Sequence, residues 1–176
     1  MATDTTQIHI GAATVSVGAW VTAGGAGSLT DVGHMKGPAT LTPSFEDYEI
    51  KSERAFGTLK REPQDAKLSL ALDLQETTGE HMRIAFRQPA ANLTGTSPDK
   101  TLRIGDMAEQ YHQITLVATG PGTTNVRTLT LWRGFVESTG AIPYAKGEEQ
   151  HYPVTFDILY DDSVTSLDKF GKQVDT

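Results

Sequence analysis

The chain has 176 residues, of which 38% are apolar and 21% are charged, which predicts one globular domain with a sizeable core. The absence of cysteine excludes disulfides and thiolate chemistry in this chain. Its 22 acidic and 15 basic residues give a net charge of −7, which argues against electrostatic binding to the phosphate backbone of a nucleic acid. No apolar run approaches a membrane span and Met1–Ile10 lacks a signal-peptide pattern, so we expect a protein used without export.

The first third of the chain alternates between strand patterns and long polar loops. Ile8–Val21 is a strand candidate, and the glycine-rich Ala23–Lys36 predicts a loop. In Thr40–Phe45 the apolar residues recur with a period of two, which predicts a strand with one face on the core. These apolar residues are Leu41, Pro43 and Phe45. Glu46–Gln64 carries charges of both signs and predicts a charged loop, with a short strand at Gly57–Arg61.

The clearest strand pattern lies in Lys67–Leu74, where a leucine occupies every second position and predicts a core-facing side. A helix over Thr77–Arg87 is predicted next, because Thr77 can accept at the N-cap with Glu80 at the capping-box spacing. Pro89 marks its end. The apolar face of this helix comprises Met82, Ala85 and Phe86.

The second half of the chain is also rich in strand patterns. A polar loop is expected at Asn92–Gly105, and Gly120–Asn125 predicts a hairpin loop. The strand candidates are Tyr111–Thr119, Val126–Arg133, Phe135–Ile142 and the strongly alternating Tyr152–Tyr160. Further turns of helix are predicted at Asp106–Tyr111 and Ser166–Val174. The termini, residues 1–6 and 164–176, are polar enough to form mobile arms on a single domain of residues 1–176.

Local motifs for catalysis or metal binding are missing from the sequence. The five histidines show no ligand spacing, and we expect them to be packing or surface residues. The acid pairs Glu148-Glu149 and Asp161-Asp162 are neighbours in sequence, so neither pair is expected to share a site, and we predict solvated loop ends. We therefore expect no enzyme activity, no catalytic or metal-binding residues and no cofactor. The histidines are His9, His34, His81, His112 and His151.

The order of these elements resembles that of the tail tube (major tail) proteins of long, non-contractile-tailed bacteriophages, from about Ile8 to Ser163. The resemblance includes the turn Asp31–His34 before Ala39–Phe45 and the late strand Tyr152–Tyr160 with Asp161-Asp162-Ser163 after it. Between them lie the charged Asp47–Ser52, the Gly57–Arg61 strand, the alternating Lys67–Leu74 and the capped helix Thr77–Arg87.

The resemblance implies a mainly β fold, a two-sheet β-sandwich or barrel with one flanking α-helix and long loops. Six copies would form a ring with a continuous inner barrel, and the rings would stack into the hollow tube through which the genome passes. Such a virion protein is made in the host cytoplasm and contacts other copies of itself and, in the tail, the tape-measure, tail-terminator and distal-tail proteins. The resemblance implies that DNA transits the tube without specific binding.

Two sets of residues are candidates for roles in such a tube. A net negative bore would repel DNA, and six copies would carry roughly 42 negative charges per ring. We expect some lumen positions among the small or polar residues of two alternating strands: Thr40, Thr42, Ser44, Ser69, Ala71 and Asp73. Complementary charges in the loop are candidates for ring-to-ring contact: Glu49, Lys51, Glu53, Arg54, Lys60 and Arg61.

Two other classes of function remain open from the sequence. A β-sandwich carbohydrate- or ligand-binding module of a virion would need Trp20, Trp132 or a tyrosine cluster exposed on one sheet face. An enzyme would need acids that converge only in space, such as Glu137 with Asp157 about 5–10 Å apart in a cleft. Trp132 sits within a strand pattern, which favours a place in the core or in a subunit contact.

Overall fold

The computed structural model describes residues 13–25, 27–51, 58–75, 78–96, 99–105, 107–119, 126–147 and 149–176. Ten strands and one α-helix lie within these ranges. In chain order they are β1 (Ala13–Ala19), β2 (Leu29–Asp31), β3 (Thr40–Lys51), β4 (Thr58–Leu74), α1 (Gly79–Ala85), β5 (Leu93–Thr96), β6 (Asp99–Leu102), β7 (Tyr111–Thr119), β8 (Val126–Thr139), β9 (Tyr152–Ile158) and β10 (Gly171–Asp175).

Eight of the strands form one antiparallel sheet in the order β2-β1-β7-β8-β9-β4-β3, with β10 also paired to β8. The strands β5 and β6 form a separate two-stranded sheet. The predicted fold class, mainly β with two sheets and one flanking helix, is confirmed. The predicted strands Val126–Arg133 and Phe135–Ile142 are one continuous strand, β8, and the loop Gly120–Asn125 before it lies outside the described residues.

The core lies where β4 pairs with β9. The pairs Leu70–Phe156, Leu72–Val154 and Leu74–Tyr152 stand side by side, and each of these side chains is at most 3% exposed. This confirms the alternation predicted for β4 and, as far as Ile158, for β9, because cross-strand neighbours project from the same face of a sheet. Tyr160, predicted on the same apolar face, lies beyond the end of β9 and is 50% exposed. Other strands and the helix complete the core with Val15, Val17, Ile84, Ala85, Ile114, Leu131 and Val136.

The apolar residues of β3 do not join this core, and their prediction as core residues is wrong. Leu41 pairs with Leu70 and therefore points to the core side of the sheet, but it is 37% exposed. Phe45, farther along β3, is 74% exposed. The reason is that β3 is the last strand of the sheet, so the core ends before it reaches this face. Pro43 fits such a position, since proline cannot donate a ladder hydrogen bond and is tolerated on edge strands.

The predicted charged loop Glu46–Gln64 is mostly a two-stranded ribbon. β3 continues to Lys51 and β4 begins at Thr58, with bulges between Glu46 and Asp47 and between Ile50 and Lys51. The loop was predicted from the alternating charges. In the structure these charges form pairs across the two strands, as Glu49 does with Arg61. Residues 52–57, which connect the strands, lie outside the described part of the chain.

The helix forms close to its predicted place but with different contacts. Thr78 is the N-cap residue, and its hydroxyl accepts a hydrogen bond from the backbone N–H of His81 at 3.3 Å. The predicted cap, Thr77, lies outside the described residues. Of the predicted apolar face, Ala85 is buried, while Met82 and Phe86 are only partly buried. The other buried helix residues, His81 and Ile84, were not predicted. Among the described residues no helix is long and apolar enough to span a membrane.

Three further segments contain strands where loops or helices were predicted. Ala23–Lys36, predicted as a loop, holds β2 at Leu29–Asp31. Asn92–Gly105 holds the β5–β6 hairpin. Gly171–Asp175 is strand β10, paired with β8, so a helix over Ser166–Val174 is wrong, and the predicted C-terminal arm contains a sheet strand. No helix forms at 107–110, and Tyr111 already begins β7. Residues 1–6 lie outside the described residues.

His112, on β7, generates a testable pH dependence. Burial and the nearby Arg83 guanidinium lower its pKa to about 4, and its ring packs edge-on against Phe156 at 6.0 Å between centroids. The unfolded chain, with an imidazole pKa of about 6.5, therefore binds more protons than the folded chain between pH 4 and 6.5. Stability is thus fully present above pH 6.5 and falls as the pH is lowered toward 4.

We expect the wild type to lose about 2 kcal/mol more unfolding free energy between pH 7 and pH 4.5 than His112→Gln, which cannot titrate there. Urea unfolding at both pH values measures this difference. An equal loss in the two proteins would show that His112 is not the group responsible.

Candidate assembly surfaces

The first surface is a projecting ribbon, here called the arm, which comprises residues 45–51 of β3 and 58–66 of β4. β9 pairs with β4 only over Leu68–Leu74, so in the described part of the chain the arm has no third strand. Its aromatic side chains meet water, since Phe45 is 74% and Tyr48 60% exposed. A two-stranded ribbon is marginally stable by itself in water, so an arm of this length favours a role in contact with another surface.

Ion pairs along the arm join residues that were predicted as inter-ring contacts. Arg61 Nη2 lies 2.8 Å and Lys51 Nζ 3.3 Å from the carboxylate of Glu49, and Lys60 Nζ lies 2.5 Å from Glu62. Four of the six candidates, Glu49, Lys51, Lys60 and Arg61, thus lie on the arm, while Glu53 and Arg54 lie outside the described residues. Exposed ion pairs contribute at most about 1 kcal/mol each, so these charges can exchange partners at low cost.

A groove of about 590 Å³, here called the arm-root groove, opens where β9 ends and β4 continues into the arm. Tyr160 and Phe170 form one wall and pack edge-to-face at 5.7 Å between ring centroids. Phe45 lies on the arm side of the groove. The remaining lining residues are Gln64, Asp65, Ala66, Lys67, Asp157, Ile158 and Leu159.

The segment that carries Tyr160 and Phe170 is anchored by Asp161, which is only 1% exposed. Trp20 Nε1 donates to one of its oxygens at 2.9 Å and the backbone N–H of Ser163 donates to the other at 2.9 Å. Burial alone would raise the pKa of Asp161, but these hydrogen bonds and that of the Ser163 hydroxyl leave it below the usual value. The prediction of Asp161 as a solvated loop end is therefore wrong.

The second surface is the polar face of the sheet opposite the core. Register pairs Thr40 with Ala71 and Thr42 with Ser69, so these residues share one face. Alternation along β3 and β4 places Ser44 and Asp73 on the same face, and all six lumen candidates are exposed or half-buried.

The charged side chains on and beside this polar face are mostly acidic. Lys67 Nζ lies 2.6 Å from Glu137 on β8. The pKa of Asp157 is raised, because burial and the negative charges of Glu137 and Asp65 outweigh the opposing effect of Lys67. At the other end Asp73 lies 3.6 Å from His151. Near the six lumen candidates the acids of this face and its rim are Glu46, Asp65, Asp73, Glu137 and Asp157, beside Lys67. Farther away on the same face, Lys60 stands opposite Ile50 on the arm and Lys172 stands opposite Thr130 on β8.

The positions of Trp20, Trp132, Glu137 and Asp157 give less support to the two alternative functions, a carbohydrate- or ligand-binding module and an enzyme. Trp132 is 7% exposed and its Nε1 donates to the backbone carbonyl of Asp168 at 2.8 Å, which fits the first of its two predicted places, the core or a subunit contact. Trp20 is half-buried, with the Arg133 guanidinium 4.9 Å from its ring. Glu137 and Asp157 are electrostatic neighbours, but only Asp157 lines the arm-root groove.

His34, His81, His112 and His151, the histidines in the described ranges, do not gather into a metal site. Among the residues whose positions are described, no group of three or more His, Asp or Glu side chains is arranged to hold a metal ion. His81 and His112 are both 5% exposed and pack within the fold.

Comparisons with known proteins inform the fold. No family model matches the chain, and no curated protein matches it. The chain is similar to one in the cryo-EM structure of the anti-feeding prophage (AFP) baseplate, 6-fold symmetrised, with a TM-score of 0.52 and 10% sequence identity. The similarity covers 99% of this chain and 97% of that chain. The two chains therefore share a fold over nearly their whole lengths.

Proposed function

We propose that this chain is a structural subunit of a phage-type tail, in which six copies form a ring and the rings stack into a hollow tube for the genome. The observation that carries this proposal is the uncovered core-side face of β3, where Leu41 and Phe45 meet water. Apolar side chains on the correct face of a regular strand are expected to be covered, and a neighbouring copy supplies the cover.

The free edges of the main sheet support ring formation. Within the described ranges β3 has a partner on one side only, as does β2 at the opposite end of the sheet. An exposed edge of 12 residues is a ready template for another strand, and soluble monomers usually protect such edges. Contact between the β3 end of one copy and the β2 end of the next is head-to-tail, which closes into a ring when the rotation fits.

The fold likeness supports a virion role. The AFP chain comes from a sixfold baseplate and matches this chain end to end, which favours a component of a phage-type tail. In this role the protein is made in the host cytoplasm, carries no catalytic site or cofactor, and joins the virion. Its proposed partners are other copies of itself and the tape-measure, tail-terminator and distal-tail proteins.

We assign the polar face to the bore of the tube. The acids Glu46, Asp73 and Glu137 lie on or beside this face outside the arm-root groove, and they would repeat in every copy around the channel and repel the phosphate backbone of DNA. DNA would then slide without the salt-sensitive affinity that a basic bore gives. The arm, with its exchangeable ion pairs, is assigned to contact between successive rings.

A ring within a tail baseplate is the second candidate, because the similar AFP chain belongs to a baseplate. A tube subunit and a baseplate subunit both form rings, but only the tube subunit stacks repeatedly on itself. Filament growth by the purified chain favours the tube, and assembly that stops at one ring favours the baseplate.

Deletion of Lys51–Arg54 tests the assignment of the arm. We expect soluble subunits that form no tubes in negative-stain images, because the deletion removes Lys51 from the arm and shortens the chain between β3 and β4. Deletion of residues 121–124, which lie in the chain between β7 and β8, is the matched control and is expected to leave tube growth intact. Normal tubes from the arm deletion would refute the assignment.

The negative charge of the bore is reduced by Thr42→Lys combined with Ser69→Lys, two substitutions on the polar face. We expect tubes of this variant to bind double-stranded DNA more strongly than wild-type tubes at low salt, with a steep loss of that added affinity as salt rises. A variant with Thr165→Lys, an exposed position outside the sheet, tests for binding that depends on charge alone. Equal DNA binding by both variants would contradict the assignment of this face to the bore.

A further inference from the structure

We propose that the arm of one copy docks, through Tyr48, into the arm-root groove of a second copy. This inference rests on the proposed function and deepens it, because it names the two surfaces that meet between copies. The groove and the arm belong to the same chain, and neither is covered in the described structure of the single copy.

The groove has the chemistry of an aromatic receptor. Phe45 is 74% and Tyr160 50% exposed, and Phe170 packs against Tyr160 in the wall of the groove. Both sides of the groove are held in place, since Phe45 pairs with Ala66 in the sheet and Tyr160 precedes the buried anchor Asp161. A preformed groove of this kind lowers the ordering cost of binding.

Tyr48 suits this groove but cannot enter the one in its own chain. It lies three residues beyond Phe45 on the same strand, about 10 Å along the ribbon at the usual rise per residue. Because β3 stays paired with β4 throughout this stretch, the ribbon cannot fold back on its own root. The groove that receives Tyr48 must therefore belong to another copy.

The charges of the two surfaces are complementary. Beyond Asp47 the described arm carries three cations and two acids. The groove contains Asp65, Asp157 and Lys67, and Lys67 is already paired with Glu137. The raised pKa of Asp157 agrees with an excess of negative charge there, so a net positive arm is attracted to the groove.

The contact has the size expected of the centre of an interface. Aromatic side chains bury about 150–250 Å² each, so covering the exposed parts of Phe45, Tyr48 and Tyr160 removes roughly 300–400 Å² from water. A standard interface buries about 1,600 Å² summed over both partners, so these three side chains supply about a quarter of that area and the remainder comes from the rest of the arm and the surface around the groove. Since Tyr48 and the groove occupy different places on the chain, the contact is head-to-tail and repeats from copy to copy.

Disulfide trapping tests this contact in a chain that has no cysteine of its own. Glu62→Cys combined with Ala66→Cys keeps Tyr48 and places one thiol opposite it on the arm and one in the groove. The two positions are four residues apart on one strand, about 13 Å, too far for a bond within a copy. We expect oxidation to give a ladder of linked dimers, trimers and larger species.

The matched control replaces the arm cysteine with Tyr144→Cys, a position that is 72% exposed on a different segment, and is expected to give no ladder. Rings or filaments in micrographs without a ladder would overturn the docking contact and leave the proposed function standing. Equal dimer yield from Glu62→Cys alone would mean that arms meet each other, which also overturns it. A wild type that stays monomeric and a double variant without a ladder would overturn both.

A second measurement uses variants without introduced cysteines. Tyr48→Ser is expected to raise the concentration at which assembly begins by about tenfold or more, as loss of a central interface aromatic does. Tyr144→Ser is expected to change it by less than about twofold. Equal onset concentrations for the two variants would overturn the role of Tyr48.

Discussion

The short pairing between β4 and β9 is the constraint on which the rest of this molecule depends. β9 covers β4 from Leu68 to Leu74, and the core ends with it. β4 extends ten residues farther toward its start, to Thr58, together with β3. The arm, the exposed face of β3 and the arm-root groove all follow from this difference in strand length.

The sequence predicted the centre of the fold well, because a period of two is a local signal. Lys67–Leu74 and Tyr152–Ile158 place their apolar residues as expected, and the same period puts the six lumen candidates on one face. Periodicity identifies the face of a strand but not whether another element covers it. For this reason Leu41 and Phe45 were assigned to the right side of the sheet and wrongly to the core.

Features that depend on distant residues were missed for a related reason. Nothing near Asp161 in the sequence signals its burial, since its partner Trp20 lies 141 residues away along the chain. The alternating charges of the arm led to the prediction of a loop, because their partners stand on the opposite strand and are not close in sequence, as is the case for Glu49 and Arg61. A search for opposite charges at matched distances from a hairpin centre could have found this ribbon.

The two faces of the sheet divide the proposed work. In the proposed tube the apolar face and the arm join copies, and the acids of the polar face keep the channel from holding DNA. The central claim is that the single chain is an incomplete unit, and its mass in solution tests this most directly. Sedimentation over a wide range of concentrations should show six-copy particles of roughly 114 kDa, given 19.0 kDa per chain, and larger stacks as concentration rises. A 19.0 kDa monomer at every concentration would contradict the account.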